Sequence, residues 1–306
     1  MATNRWRQEI DRLIADNRSG AEEILTEAIS LLIDTIGDST PSERDEYSRW
    51  LLRLGRDLIG AKPSMANLFR LVNGMLWVAD EAGTADGMRA RALEHLQEYR
   101  ARRASELEQV AVQASETLTA YPALMTYSRS TTVLRTLTMM AEKGSARPVY
   151  LSESRPMLEG QTLASELVWA GLRVTVGIDM ALFGWLSEVR ALVLGADSLS
   201  VHGIVNKLGT AALARQACER DLPVHVVCTT QKFLPSEYYA GRELGGGPAD
   251  EIMPDSSDRL TVRNVYFDVT PLDFITSVIT ERGTLKDDAL LDALKEIRVF
   301  PGLRGR

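Results

Sequence analysis

Cysteine is scarce in this chain: Cys218 and Cys228 are the two thiols in 306 residues. Two cysteines make no disulfide framework, and they fit a reducing cytosol, so a cytoplasmic location is the expectation. Histidine is nearly as rare, with His95, His202 and His225. Without a Cys or His cluster no structural zinc site is expected. No run approaches the ~18 apolar residues of a membrane span. The opening Met-Ala-Thr-Asn-Arg-Trp-Arg-Gln-Glu-Ile is polar and charged, unlike a secretory signal. A surplus of positive charge is missing too: 35 Lys and Arg against 42 Asp and Glu leave a formal net charge of -7. Nucleic-acid backbones are held by clustered Lys and Arg, so a general nucleic-acid binder is not expected. A small basic pocket for one phosphorylated ligand remains compatible with that balance.

What is present is ordinary globular material, 45% hydrophobic and 25% charged. Residues 1–120 read as helices. Trp6, Ile10, Leu13 and Ile14 recur at helical spacing, and Ser19-Gly20 breaks that pattern. A second helix spans Ala21 to about Ile36. Thr40-Pro41-Ser42-Glu43 starts a third, with proline early and acids in the first turn. Lys62-Pro63-Ser64 precedes a fourth, and a long charged helix runs from about Thr84 to Glu116. From about Tyr121 short apolar runs alternate with amphipathic helices. Strands are predicted at Ala123–Thr126, Pro148–Leu151, Arg173–Gly177, Ala191–Gly195, Val224–Cys228 and Val262–Phe267. Helices are predicted at 129–143, 160–170, 179–187, 207–220 and 286–297. Strands separated by helices of ~10–15 residues argue for a parallel sheet covered on both faces. The reading is thus a helical domain over 1–120, then a doubly wound, mostly parallel Rossmann-like α/β domain over 121–306. Such a sheet takes its ligand at the carboxyl ends of the strands. Arg242-Glu-Leu-Gly-Gly-Gly-Pro-Ala-Asp-Glu251 reads as a polar, Gly-rich loop.

Several polar groups fall at those strand ends. Leu194-Gly195-Ala196-Asp197 ends an apolar strand in a carboxylate, which either caps a turn or points into the crevice. Asn206-Lys207-Leu208-Gly209-Thr210 reads as the start of a helix, where unpaired N–H groups suit an oxygen-rich ligand; Asn is also a routine cap. In Ser152-Glu153-Ser154-Arg155-Pro156 the proline biases Arg155 toward extended geometry. Its planar fork suits phosphate, or pairs at the surface with Glu153 or Glu159. Lys232, in Thr229-Thr-Gln-Lys232-Phe233, is another cation at a strand end, a phosphate contact or an exposed lysine. His225 lies inside an apolar strand and reads as a core histidine, whereas His202, between Asp197 and Asn206, stays open as an acid–base group.

These motifs, with Asn264 to Gly283 (a strand end, a Thr-Pro turn, a short helix and a second strand), form an ordered set. The set resembles the family of initiation factor 2B α-type subunits, ribose-1,5-bisphosphate isomerases and methylthioribose-1-phosphate isomerases. The resemblance implies that Asp197 is a catalytic acid–base group, and that Arg155 and Lys232 hold phosphate. Asn206 and Lys207 then bind sugar hydroxyls. Gly20 and Ala21, in Ser19-Gly20-Ala21, resemble a turn that meets the ligand phosphate, and Lys62 stands where the family more often has Arg. The isomerases read Thr-His-Cys after the first strand, and that Cys is their acid–base partner to Asp. Here Thr126-Tyr127-Ser128 stands in its place, closer to the regulatory subunits. A thiol titrates near ~8.5 and can be tuned lower, whereas an unassisted hydroxyl needs a strong neighbour to act. The resemblance therefore implies a sugar-phosphate isomerase with Asp197 and Ser128 as its catalytic pair, or a non-catalytic sensor binding a sugar phosphate or nucleotide. It implies a homodimer, and neither metal nor nicotinamide cofactor.

Overall fold

The computed structural model describes residues 5–16, 19–39, 41–239, 244, 246–254, 257 and 259–304. Thr40 of the third helix start and Arg242, Glu243 and Gly245 of the Gly-rich loop lie outside them. The helical region comprises α1 (Arg5–Ala15), α2 (Ala21–Gly37), α3 (Arg44–Ala61), α4 (Ala66–Asp80) and α5 (Ala85–Leu118). Its core forms as the periodicity dictates: Trp6, Ile10 and Leu13 of α1 pack with Ile29, Leu32, Leu54 and Phe69, while Ile14 stays exposed. Thr84 caps α5, its hydroxyl accepting from the Gly87 N–H at 3.1 Å.

The remainder runs β1 (Leu124–Thr126), α6 (Thr131–Glu142), β2 (Val149–Ser152), α7 (Glu159–Trp169), β3 (Val174–Gly177), α8 (Ala181–Trp185), β4 (Ala191–Leu194), β5 (Ser198–Ser200) and β6 (Gly203–Lys207). It continues through α9 (Thr210–Cys218), β7 (Val224–Val227), α10 (Ser236–Tyr239), β8 (Phe267–Thr270), β9 (Ser277–Thr280), β10 (Gly283–Leu285) and α11 (Asp287–Lys295). Among the described residues a seven-stranded sheet has the order β10-β9-β7-β4-β1-β2-β3, parallel except for β10. The period of two in each strand feeds two cores. Leu192 and Leu194 of β4 face one with Val224 and Val226, and Ala191 and Val193 face the other with Val110 and Leu163. The chain runs outward from β1 to β3, then returns to the other side of β1 at β4. That reversal opens a crevice at the carboxyl ends of β1 and β4.

Two expectations need correction. Asn206 and Lys207 do not open a helix: they end β6, and α9 begins at Thr210 after Gly209 in the left-handed region at φ 102°. The predicted strand Val262–Phe267 is displaced to Phe267–Thr270, where it pairs antiparallel with β6 in a three-stranded sheet β5-β6-β8. That pairing sets its register and lets Asp268 cap α9, its Oδ2 accepting from the N–H groups of Gly209 (2.8 Å) and Ala211 (3.2 Å).

Candidate active site

The crevice between β1 and β4 is a cavity of about 370 Å³, within the range of ligand pockets, roughly 300–1,000 Å³. Gly20, Ala21, Lys62, Ser128, Asp197, Asn206, Lys207 and Lys232 all line it. Arg155 does not. Its side chain is exposed outside the cavity wall, and its N–H donates to Asp179 Oδ2 at 2.9 Å. A larger open groove of about 1030 Å³ runs between α1, α2 and α3 past Trp6, Arg49 and Trp50, and none of the sequence-predicted site residues lines it.

The loop after β4 carries Asp197. Its backbone N–H donates to Val205 O at 2.9 Å and its carbonyl accepts from Ala66 N–H at 3.1 Å, tying the loop to β6 and to α4. Gly195 is needed just before it, because a Cβ there would come within 2.5 Å of the Ser130 Cβ at the start of α6. Withdrawal from water pushes the Asp197 carboxyl above its ordinary range, and Glu159 adds to the rise; Lys232 and Lys207 oppose it. Lys207 and Lys232 are themselves buried, a costly placement for ammonium groups unless anions face them. Asn206 is buried with its Nδ2 unpaired, a donor left for an oxygen ligand.

The loop after β1 carries Ser128 at φ 65°, a conformation that serine rarely adopts. Its N–H donates to Ser154 Oγ at 3.1 Å, and its hydroxyl donates to Glu159 Oε1 at 2.9 Å. Lys207 Nζ meets the same Glu159 oxygen at 2.6 Å. Sequence reasoning named Glu159 only as a surface partner for Arg155, because its two cavity partners, 31 and 48 positions away, are brought near only by folding. Arg129, next along, forms a bidentate pair with Glu166 at 2.7 and 2.8 Å on the cavity wall.

Lys62 Nζ donates to the carbonyls of Ile14 (3.1 Å) and Asp16 (2.7 Å), so it ties α1 to α3 at the cavity edge. Gly20 stands at the N-cap of α2, and a Cβ added there would lie 3.2 Å from Arg129 Nη1. Cys228 also lines the cavity, but burial pushes its thiol up to about 12. His202 is exposed at the β5–β6 turn and does not line the cavity. His225 is a core histidine, its ring nitrogens 2.9 Å from Tyr121 Oη and 2.8 Å from Ser277 Oγ. Among the described residues no group of three or more His, Cys, Asp or Glu could hold a metal ion, and no helix is long and apolar enough to cross a membrane.

Comparison with known proteins adds an independent line. Residues 17–287 match the profile described as the Initiation factor 2 subunit family. Over 292 residues the chain is 27% identical to a ribose 1,5-bisphosphate isomerase of Archaeoglobus fulgidus, covering 93% of this chain and 90% of the other. The crystal structure of translation initiation factor eIF-2B from Pyrococcus horikoshii superposes with a TM-score of 0.78 at 24% identity, covering 94% of this chain and 98% of that one. A 5-methylthioribose 1-phosphate isomerase from the same organism gives 0.71 at 22% identity, covering 95% and 86%. At those identities the two structures bear on the fold alone.

Proposed function

The chain belongs to the initiation factor 2 subunit family, and from that premise we propose that it is a sugar-phosphate aldose–ketose isomerase of the ribose-1,5-bisphosphate isomerase type. The observation that carries the reading is the gathering of Asp197, Asn206, Lys207 and Lys232 around one cavity at the reversal point of the sheet. An aldose–ketose shift moves a proton between adjacent carbons through an enediol and requires groups that titrate near the working pH. Burial pushes the Asp197 carboxyl upward, the direction that such a role calls for. Lys232 and Lys207 supply positive charge for phosphate, and Asn206 Nδ2 is free to donate to a sugar hydroxyl. The α2 start offers the Ala21 backbone N–H to a second anionic group, while the Gly20 N–H already donates to Glu23 Oε2 at 3.0 Å. Arg155 would have to fold inward to share in that work.

Proton exchange tests the reading. With ribose 1,5-bisphosphate in heavy water, the full chain is expected to exchange hydrogen at carbon 1 or 2, followed by NMR, and Asp197→Asn is expected to abolish it. Tight binding with no exchange would favour a second reading, a regulatory protein that binds a sugar phosphate or nucleotide without turnover. Ser128 favours that second reading, because it stands where the resembling isomerases carry Cys and the nearby Cys228 is not thiolate-forming. We also propose a homodimer. Strand β3 is an open edge of the sheet, and Trp169, Val176, Ile178 and Met180 beside it are exposed, the surface of an edge that a partner covers. A monomer mass in light scattering would overturn the dimer.

A further inference from the structure

We propose that Glu159 is the second acid–base carboxylate of this site, and that Ser128 is the positioning residue that orients it. The inference deepens the isomerase reading and rests on it. Two contacts hold the Glu159 side chain: Ser128 Oγ donates to Oε1 at 2.9 Å and Lys207 Nζ meets Oε1 at 2.6 Å. Gly160, next along, lets the helix start lie close on β2. A Cβ on Gly160 would fall 1.8 Å from Ser152 O, so no other residue allows α7 to begin so close to the strand. The carboxylate therefore has little freedom to swing. Its other oxygen, Oε2, is shielded from water and has no hydrogen-bond partner, and the residue lines the same cavity as Asp197. An unpaired carboxylate oxygen is costly to bury, and it leaves this group accepting capacity that Ser128 and Lys207, both on Oε1, do not use.

Ser128 is the weaker candidate for the base: its hydroxyl already donates to Glu159, and a neutral hydroxyl is a far weaker base than the carboxylate it donates to. Its left-handed backbone aims that hydroxyl, with the N–H pinned by Ser154. Lys207 Nζ stands against the Glu159 carboxylate, whereas Asp197 is withdrawn from water and pushed toward its neutral form. A carboxylate paired with a cation and a carboxyl held away from water are different environments, which is what a base and an acid require.

The chemistry then balances. With ribose 1,5-bisphosphate the ring opens first: the Asp197 carboxyl gives its proton to O4 as the C1–O4 bond breaks, and a lone pair of the phosphorylated O1 forms a double bond to C1. The Glu159 carboxylate takes the proton from carbon 2, that C–H electron pair becomes the C1–C2 double bond, and the C1–O1 π pair returns to O1, giving an enol phosphate. The Asp197 carboxylate next takes the O2 proton, the O–H pair forms the C2 carbonyl, and the double-bond pair takes the Glu159 proton at carbon 1. Both carboxyl groups end as they began, and no oxidant or co-reactant is consumed.

The test uses the full chain with ribose 1,5-bisphosphate in heavy water. Glu159→Gln keeps the shape and an oxygen for Ser128 and Lys207. It is expected to slow exchange at carbon by ~10²–10⁴-fold, the usual contribution of a general base, with KM within a few-fold and a lowered thermal midpoint, because buried Lys207 loses its anion. Glu159→Asp should recover part of the loss, and Ser128→Ala should lose less than Glu159→Gln does. Wild-type exchange rates in Glu159→Gln would overturn the inference and leave the isomerase reading standing. So would a Ser128→Ala protein more damaged than Glu159→Gln. A wild-type protein that exchanges nothing would overturn both.

Discussion

Burial sets what individual side chains of this protein can do. Cys218 is exposed and Cys228 is buried, with its thiol pushed up to about 12. At pH 8 only about one part in ten thousand of such a thiol is ionised, and the thiolate is the reactive form. A disulfide reagent should therefore titrate one thiol in the native protein at pH 8 and two after denaturation; two fast native thiols would refute the burial. His225 tells a similar story with opposite charge. Burial, with Lys286 adding, lowers it from 6.5 to about 4. The unfolded chain then binds a proton that the native state refuses between those values, so stability falls as pH drops from about 6.5 to about 4. The loss is about 3 kcal/mol at the acid end. Urea unfolding of His225→Asn should show a weaker pH dependence across that window, and an unaltered slope would count against it. The side chain of Ser128 shows the limit of reading residues singly: its strong neighbour, Glu159, is 31 positions away and is brought near only by folding.

Elements meet at glycines where backbone must touch side chain. Gly195 closes β4 against the first residues of α6, where a Cβ would sit 2.5 Å from both Cβ and Oγ of Ser130. Overpacking of this kind costs ~1–3 kcal/mol. Gly195→Ala should lower the unfolding free energy by that amount, read as a lower urea midpoint, and shift the Asp197 loop, so exchange activity should fall more than stability alone explains. A variant with native stability and activity would show that the junction yields freely. The run Asn206-Lys207 marks where element assignment from sequence went astray. Gly203–Lys207 is short, and its partner β8 lies some 60 residues further on, so local pattern favoured the neighbouring helix. The N-terminal helices, by contrast, were legible to within a few residues, because 3.6-residue periodicity is local.

Across the whole molecule, α5 joins the two regions. Its Ala92, Leu96 and Tyr99 belong to the helical core, and its Val110, Ala114 and Leu118 to the sheet. Val299 and Leu303 return from the far end of the chain to the helical core. Arg56 there meets the Gly302 carbonyl, and Asn73 exchanges hydrogen bonds with the backbone of Arg298 and Phe300 at 3.0 and 2.8 Å. We propose the division into units over 1–120 and 121–306 as an architectural one. Shared packing of this extent predicts a single cooperative transition in calorimetry. Two well-separated transitions would mean that the units melt independently.

Periodicity, composition and the residues at strand ends were enough to specify a helical region followed by a parallel α/β sheet, because each element buries its own apolar stripe and announces it locally. The same residues offered Asp197 and Lys232 as candidates, since a strand's carboxyl end is visible in one dimension, and the family resemblance singled them out together with Ser128. Sheet order and register lay beyond that reach. They put Arg155 outside the cavity wall, turned Asn206 and Lys207 into the end of a strand, and set Glu159 between Ser128 and Lys207. Contacts between ends of different strands depend on which strands are neighbours, and that is a property of the assembled core rather than of any segment.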